Sequence, residues 1–314
     1  MIFYPSVLIL SSKLDFSSDK ICLNLRERNI PYLRINRDEL AGYDIEFDPI
    51  TCTLIGEYQS QRFFLDSTKL KSIFFRAPTF LRDIYREHVS EEEQLTRTQW
   101  EAFVRSLVIF DNIFWVNNPV HTYRAEIKPY QLKLANELHF VVPQTKITNI
   151  LRDVPFELSA IKTIDTGILS GQNQDGFIYT SILKKEELIN HRFDSPFILQ
   201  EGLVPKIDLR ITVIGNEVIP IKIEGEELLD DDWRKYKHQL KYSLITIPED
   251  LKQKCLALLK KLNLNFGAID MIYHNDRYYF IEINPTGEWS WLQHNTSIKF
   301  DEKIASLLAY GNDS

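Results

Sequence analysis

An α/β fold of two or three packed lobes is what this sequence predicts, and three observations carry that prediction. The apolar run from Val7 to Leu10 is followed by polar residues and by a helical pattern through Ile21, Leu25 and Ile30, so the chain opens as strand, helix, strand. The second half is mostly β and contains two hairpin signals, at Gly215-Asn216 and at His274-Asn275-Asp276. Finally, 314 residues with 44% hydrophobic and 26% charged side chains are enough to bury a sizeable core, which excludes disorder.

The elements follow in order. Segments from Tyr43 to Phe47, Thr51 to Ile55 and Arg62 to Leu65 alternate as strands do, and the apolar strand from Ser72 to Phe75 is stopped at Arg76-Ala77-Pro78. Glu91 to Phe110 has helical spacing with acidic residues at its start, where they complement the helix dipole; Ile113 to Val116 is the next strand. The Asn117-Asn118-Pro119 turn marks a lobe boundary before a long helical stretch from His121 to Leu138. Strands are then expected over Thr145 to Thr148, Glu157 to Lys162, Phe177 to Ser181 and Phe197 to Gln200. A hairpin follows from Asp208 to Ile223, then a helix from Glu249 to Leu262. The final hairpin has arms from Ala268 to Tyr273 and from Tyr278 to Ile283. The implied lobes are 1–118, 119–195 and 196–314.

Composition excludes several classes. No apolar run reaches the ~18 residues of a membrane span, and Met1 to Leu10 lacks the flank and cleavage site of a signal peptide, so a cytoplasmic protein is expected. Cys22, Cys52 and Cys255 are too few and too far apart for a disulfide framework or a CxxC metal site. A net charge of -7 and a pI near 5.6 exclude bulk nucleic-acid binding. The acidic surface neither demands nor excludes a homodimer.

The most informative stretch is Phe266-Gly267-Ala268-Ile269-Asp270 together with Phe280-Ile281-Glu282-Ile283-Asn284-Pro285. On a strand Glu282 and Asn284 point to one face, and the paired strand brings Asp270 alongside, so three oxygen ligands converge. Carboxylate and amide oxygens are what Mg²⁺ prefers when it bridges nucleotide phosphates.

These residues resemble the metal-binding signature of ATP-grasp ligases, an acidic residue followed by a Glu-x-Asn-Pro strand. The resemblance implies an N-terminal pre-grasp α/β lobe, a central lobe and a C-terminal lobe, with ATP and Mg²⁺ as cofactors. By it, Gln200, Glu201, Gly202 and Leu203 line the adenine pocket at a hinge. Asp208 accepts from the ribose hydroxyls, and Arg210 stabilises the γ-phosphate as an always-charged fork. Lys162 and Lys128 match phosphate-binding lysines, and the segment from Asp165 through Gly167 to Gly171 supplies a closing loop. Arg210 and Lys162 would be the catalytic cations.

Within that family the chain is similar to the microviridin-type graspetide synthetases, which macrocyclise ribosomal peptides. The matching phrases are Arg76-Ala77-Pro78, Trp115 to Pro119, the Lys128 helix, Pro143 to Asn149, Asp232-Trp233-Arg234 and Asn284 to Trp289; Glu288 stands where that family commonly has Gln. The resemblance implies that Asp or Glu side chains of a precursor peptide, bound through leader and core segments, are activated as acylphosphates and closed into esters or amides. Asp232 and Arg234, in a charged region from Gly225 to Tyr242, are candidate substrate contacts; so is Arg76, for which a core-peptide carboxylate, a phosphate and a neighbouring acid are the open partners. Two alternatives stay open: a ligase that joins amino acids or small metabolites, and a nucleotide-binding regulatory protein without turnover.

Overall fold

The computed structural model describes residues 2–76, 90–165, 167–169, 176–188, 190–225, 233 and 240–311. Its first lobe follows the opening pattern. Strands β1 (Ile2–Phe3) and β2 (Val7–Ser11) lead into helix α1 (Phe16–Glu27) and β3 (Tyr32–Asn36). Then come β4 (Asp44–Asp48), β5 (Thr53–Tyr58), β6 (Gln61–Leu65), β7 (Ser72–Phe75), helix α2 (Glu91–Ser106) and β8 (Phe114–Val116). Strands β3, β2, β7 and β8 make a parallel sheet in that order. Both faces of β2 are covered, which is why Val7 to Leu10 are all apolar. Val7 and Ile9 enter a core shared with Ile21, Ile214 and Ile304, while Leu8 and Leu10 enter another with Leu54, Phe63 and Phe110. Strand β7 ends where the sequence places its end; Ala77 and Pro78 lie outside the described residues.

Asn118 caps helix α3 (Pro119–Ala125) by accepting from the Val120 amide at 2.9 Å. Periodicity alone predicts one helix from His121 to Leu138, but the chain makes two, α3 and α4 (Lys128–Glu137). Pro129 is the reason. It has no N–H and disfavours the helical region for the residue before it, so it can only sit in the first turn of a new helix.

The central lobe comprises β9 (Thr145–Leu151), β10 (Leu158–Lys162), β11 (Ile168–Leu169), β12 (Gly176–Phe177), β13 (Ser181–Lys184), α5 (Lys185–Leu188) and β14 (His191–Glu201). Its main sheet is antiparallel in the order β13-β10-β14-β9. Strand β14 is longer than the Phe197 to Gln200 segment and runs through the expected boundary between residues 195 and 196.

The rest of the chain folds as β15 (Ile207–Ile214), β16 (Glu217–Glu224), β17 (Lys241–Leu244), α6 (Glu249–Leu262), β18 (Phe266–His274), β19 (Arg277–Asn284), α7 (Ser290–Asn295) and α8 (Phe300–Tyr310). Its antiparallel sheet has the order β17-β16-β15-β18-β19. Asn275 and Asp276 close the β18–β19 hairpin with φ of 46° and 57°, the paired left-handed residues that a twisted two-residue turn requires. Leu209, Ile211, Val213, Ile269 and Met271 pack beneath α6. Their neighbours in sequence, Asp208, Arg210 and Asp270, face the other way.

Strand β19 carries a bulge. Asp270 pairs with Glu282 but Met271 pairs with Phe280, leaving Ile281 as an extra residue. Phe280 and Ile283 can therefore both enter the core under α6 although they are three residues apart. Glu282 and Asn284 are left on the opposite face, beside Asp270.

Candidate functional site

A cavity of about 330 Å³ lies between the central sheet and the polar face of the last sheet. Ala160, Lys162 and Ile182 line it from one side, and Asp208, Met271, Ile281, Glu282 and Asn284 from the other. Strand pairing explains the polar end. Arg210, Asp270 and Glu282 are successive partners across β15, β18 and β19, so they form one row on one face. Arg210 Nη1 donates to both Asp270 oxygens at 2.7 and 2.8 Å. Asn284 Nδ2 lies 3.2 Å from Asp270 Oδ2 and 3.4 Å from Glu282 Oε1, so the three predicted metal ligands do converge.

Cations surround this row. Lys128 Nζ sits 3.4 Å from Glu282 Oε2 and donates to the Thr163 carbonyl at 3.2 Å. Lys162, at the end of β10, donates to Gln200 Oε1 at 2.7 Å, and Gln200 in turn donates to Thr145 Oγ1 at 2.8 Å. Arg210 is 6% exposed, and among the described residues its Nε has no hydrogen-bond partner. A buried, unpartnered donor beside a carboxylate row suits an anionic ligand, because an unpaired buried N–H is costly. Together with three hard oxygen donors, this is a donor set that fits a divalent cation and a polyphosphate.

The other end of the cavity is formed by the segment expected to be the hinge. Gln200, Glu201 and Leu203 line it. Gly202 donates its amide to the Leu158 carbonyl at 2.9 Å, and a Cβ there would come within 2.8 Å of the Leu158 backbone, which is why the position is glycine. Asp208 lines the wall between hinge and metal face, held 2.5 Å from Lys206 Nζ. Lys206 is only 9% exposed and lines the cavity as well. Of the predicted closing loop, Gly167 lines the cavity, as does Thr163 just before it, whereas Thr166, Ser170 and Gly171 lie outside the described residues.

Beyond Asn284 a second cavity of about 450 Å³ opens at the carboxyl ends of the parallel strands. Arg76 lies in its wall, its side chain only 9% exposed. It donates to Asp15 at 3.2 Å, to the Thr286 carbonyl at 2.8 Å and to Glu288 at 3.2 Å, so it joins the first lobe to the loop after β19. Burial alone would raise the Asp15 carboxyl. The Arg76 charge and hydrogen bonds from Ser18 and Ser11 outweigh it, and Asp15 titrates below the usual carboxylate range. Ser17 donates to Glu288. The ring of Trp291, also in this wall, lies 5.3 Å from that of Trp233 at an angle of 36°, and Trp233 lines the first cavity, so aromatic contact links the two spaces. The predicted substrate residues Asp232 and Arg234 lie outside the described residues.

Sequence reasoning missed Asn117 and Gln131. Both are 2% exposed, and both hold the backbone beside Asn284.

Comparison with known proteins agrees with this geometry. Residues 180–308 match the family model of the RimK-like ATP-grasp domain. No curated protein matches the chain in sequence. A Chryseobacterium gregarium RiPP-associated ATP-grasp ligase, solved with ADP and a leader and core peptide, is 23% identical with a TM-score of 0.80, over 98% of this chain and 97% of that one. The macrocyclase MdnC from Microcystis aeruginosa MRC, bound to the precursor peptide MdnA, is 22% identical with a TM-score of 0.79, over 98% and 100%. The ATP-grasp ligase PsnB with minimal precursor, Mg and ADP is 17% identical with a TM-score of 0.74, over 98% and 97%. The fold is therefore the ATP-grasp fold.

Proposed function

We propose that this chain is an ATP-dependent carboxylate ligase that activates Asp or Glu side chains of a ribosomal precursor peptide and closes them into intramolecular esters or amides. One observation carries the reading: a hinge and a row of Asp270, Glu282 and Asn284 stand at opposite ends of one cavity, with Lys128 and Lys162 between lobes that can grip a nucleotide. The extended similarity to peptide-bound ligases supports a peptide as substrate.

Bound Mg-ATP supplies a phosphoryl group that turns a carboxylate, whose leaving group would otherwise be oxide, into an acylphosphate with phosphate as leaving group. The chain's own residues position and neutralise. Asp270, Glu282 and Asn284 hold Mg²⁺; Lys128, Lys162 and Arg210 offset negative charge on the phosphates. Gln200, Glu201, Gly202 and Leu203 frame the adenine, and Asp208 accepts from the ribose. Arg76 stands on the substrate side, in the cavity past Asn284, with Asp232 and Arg234 assigned to peptide contact. The lobes follow the expected bounds 1–118, 119–195 and 196–314, with β14 of the central sheet carrying the last boundary on to Glu201. The reaction is placed in the cytoplasm, where three unpaired thiols persist.

The test is mass balance. With Mg-ATP and its precursor, the protein should lower the peptide mass by one water and release one ADP per ring. Replacing the acceptor Asp or Glu should stop that loss. Replacing only the Ser, Thr or Lys nucleophile should leave ADP release without a ring, because a phosphorylated carboxylate can still hydrolyse. Ligation of two free amino acids at comparable rates, with every candidate peptide ignored, would replace this reading by a small-molecule ligase.

A further inference from the structure

We infer that Gln131 and Asn117 are positioning residues for the metal face, each holding the backbone on one side of Asn284; the inference rests on the nucleotide reading above. Strand β19 is the edge of its sheet; among the described residues its outer side meets a single bridge, the Phe280 amide donating to the Val141 carbonyl at 2.8 Å, which does not reach Ile283. At Ile283 a side chain takes the place of a neighbouring strand. Gln131 Nε2 donates to the Ile283 carbonyl at 2.8 Å, and Gln131 Oε1 accepts from the Ile283 amide at 2.9 Å. A further donation from Nε2 to the Ala125 carbonyl at 2.6 Å fixes the amide's orientation.

Ile283 lies between Glu282 and Asn284. On a strand, alternate residues share a face, so fixing the peptide groups of Ile283 fixes the direction of both neighbours. The anchor is needed there because the bulge at Ile281 is two residues away. A slip at a bulged edge would turn the ligands toward the core. On the other side Pro285 has no N–H, leaving its carbonyl as the one backbone group to grip. Asn117 Nδ2 donates to it at 2.9 Å and to the Phe266 carbonyl at 2.8 Å. Asn117 Oδ1 accepts from the Asn265 and Phe266 amides at 2.8 and 3.0 Å. Two buried amides from two other parts of the chain thus bracket Asn284. Gln131 also stands one turn from Lys128 on α4, whose ammonium is 3.4 Å from Glu282. One helix therefore sets both the side chain of one ligand and the backbone of the next.

A purely structural amide would lower stability when replaced and leave metal affinity alone. The full chain carrying Gln131→Met, which keeps the shape and loses the hydrogen bonds, separates the two roles. Manganese binding with ADP present is followed by electron paramagnetic resonance, ADP binding in EDTA by calorimetry, and folding by thermal melting. The expected result is ADP affinity in EDTA within about twofold of the parent and Mn²⁺ affinity weakened by about 10- to 100-fold, the usual effect of removing a partner behind a metal ligand. Gln131→Glu, which still accepts from the Ile283 amide, should fall between the two and carries the test if the Met variant fails to fold. A lowered melting temperature with unchanged Mn²⁺ affinity in both variants overturns the positioning role alone. A parent chain that binds no Mn²⁺ with ADP overturns the nucleotide reading and the positioning role together.

Discussion

Asn284 carries an amide where a third carboxylate would add negative charge beside Asp270 and Glu282. Its N–H group lies against both carboxylates instead, at 3.2 and 3.4 Å, so the row is held together without a metal. Glu282→Ala and Asn284→Ala should each nearly abolish ATP turnover, by two or more orders of magnitude on the scale of about 3 kcal/mol per lost stabilising group. Their melting temperatures should stay close to the parent, because both side chains face the cavity and not the core under α6. Normal ADP release by either folded variant would remove them from the metal site. Lys162 stands at the end of β10 with its side chain on the cavity, so Lys162→Ala should leave the sheet intact. It should raise the KM for ATP and slow turnover, since the charge it removes faces phosphate before and during transfer. Unchanged steady-state kinetics would return it to the status of a surface lysine.

The N-terminus of α1 shows how an element is made to serve a neighbouring lobe. Asp15 caps the helix, accepting from the Ser18 amide and from the Ser11 and Ser18 hydroxyls, and the same carboxylate receives Arg76. Arg76 continues to Thr286 and Glu288, just past the metal strand. The folded carboxyl is held below its ordinary value. Its stabilising contribution is therefore complete above the unfolded value near pH 4 and is lost as pH falls through the lower folded value. Asp15→Asn should destabilise the chain at pH 7 by about 1–3 kcal/mol. The gap in melting temperature between variant and parent should narrow as the pH is taken below about 4. A gap that stays constant from pH 7 to pH 3 would mean that the charge of Asp15 contributes nothing. The hinge is equally specific: Gly202→Ala should weaken ATP binding by forcing β14 away from Leu158, which steady-state KM values would register.

At the scale of the whole molecule the cores decide what is accessible. Cys255 is fully buried on the inner face of α6 and its thiol is pushed up to about 12 by burial. Cys22 is buried in the core shared by the first and last lobes, and burial raises it too. Cys52, in a turn of the first lobe, is partly exposed. A chromogenic disulfide reagent should titrate one thiol rapidly in the native chain and three after unfolding; rapid labelling of Cys255 in the native state would contradict the packing of α6. The sequence by itself determined what neighbouring residues can specify. The Asn275-Asp276 turn and the alternation around it place Asp270, Glu282 and Asn284 on one face, because hairpin pairing is local and the period of a strand is two. The same local rules made Val7 to Leu10 a strand. Tertiary structure alone decided the rest. The bulge at Ile281 arises because Phe280 and Ile283 must both reach the core under α6. Arg76 turned out to hold Asp15 and Glu288, partners 61 and 212 positions away. Gln131 grips Ile283 across 152 positions, and Asn117 grips Pro285 across 168. A glutamine on an amphipathic helix reads the same whether it meets water or an edge strand, since sequence periodicity records which face a residue occupies and not what is packed against it.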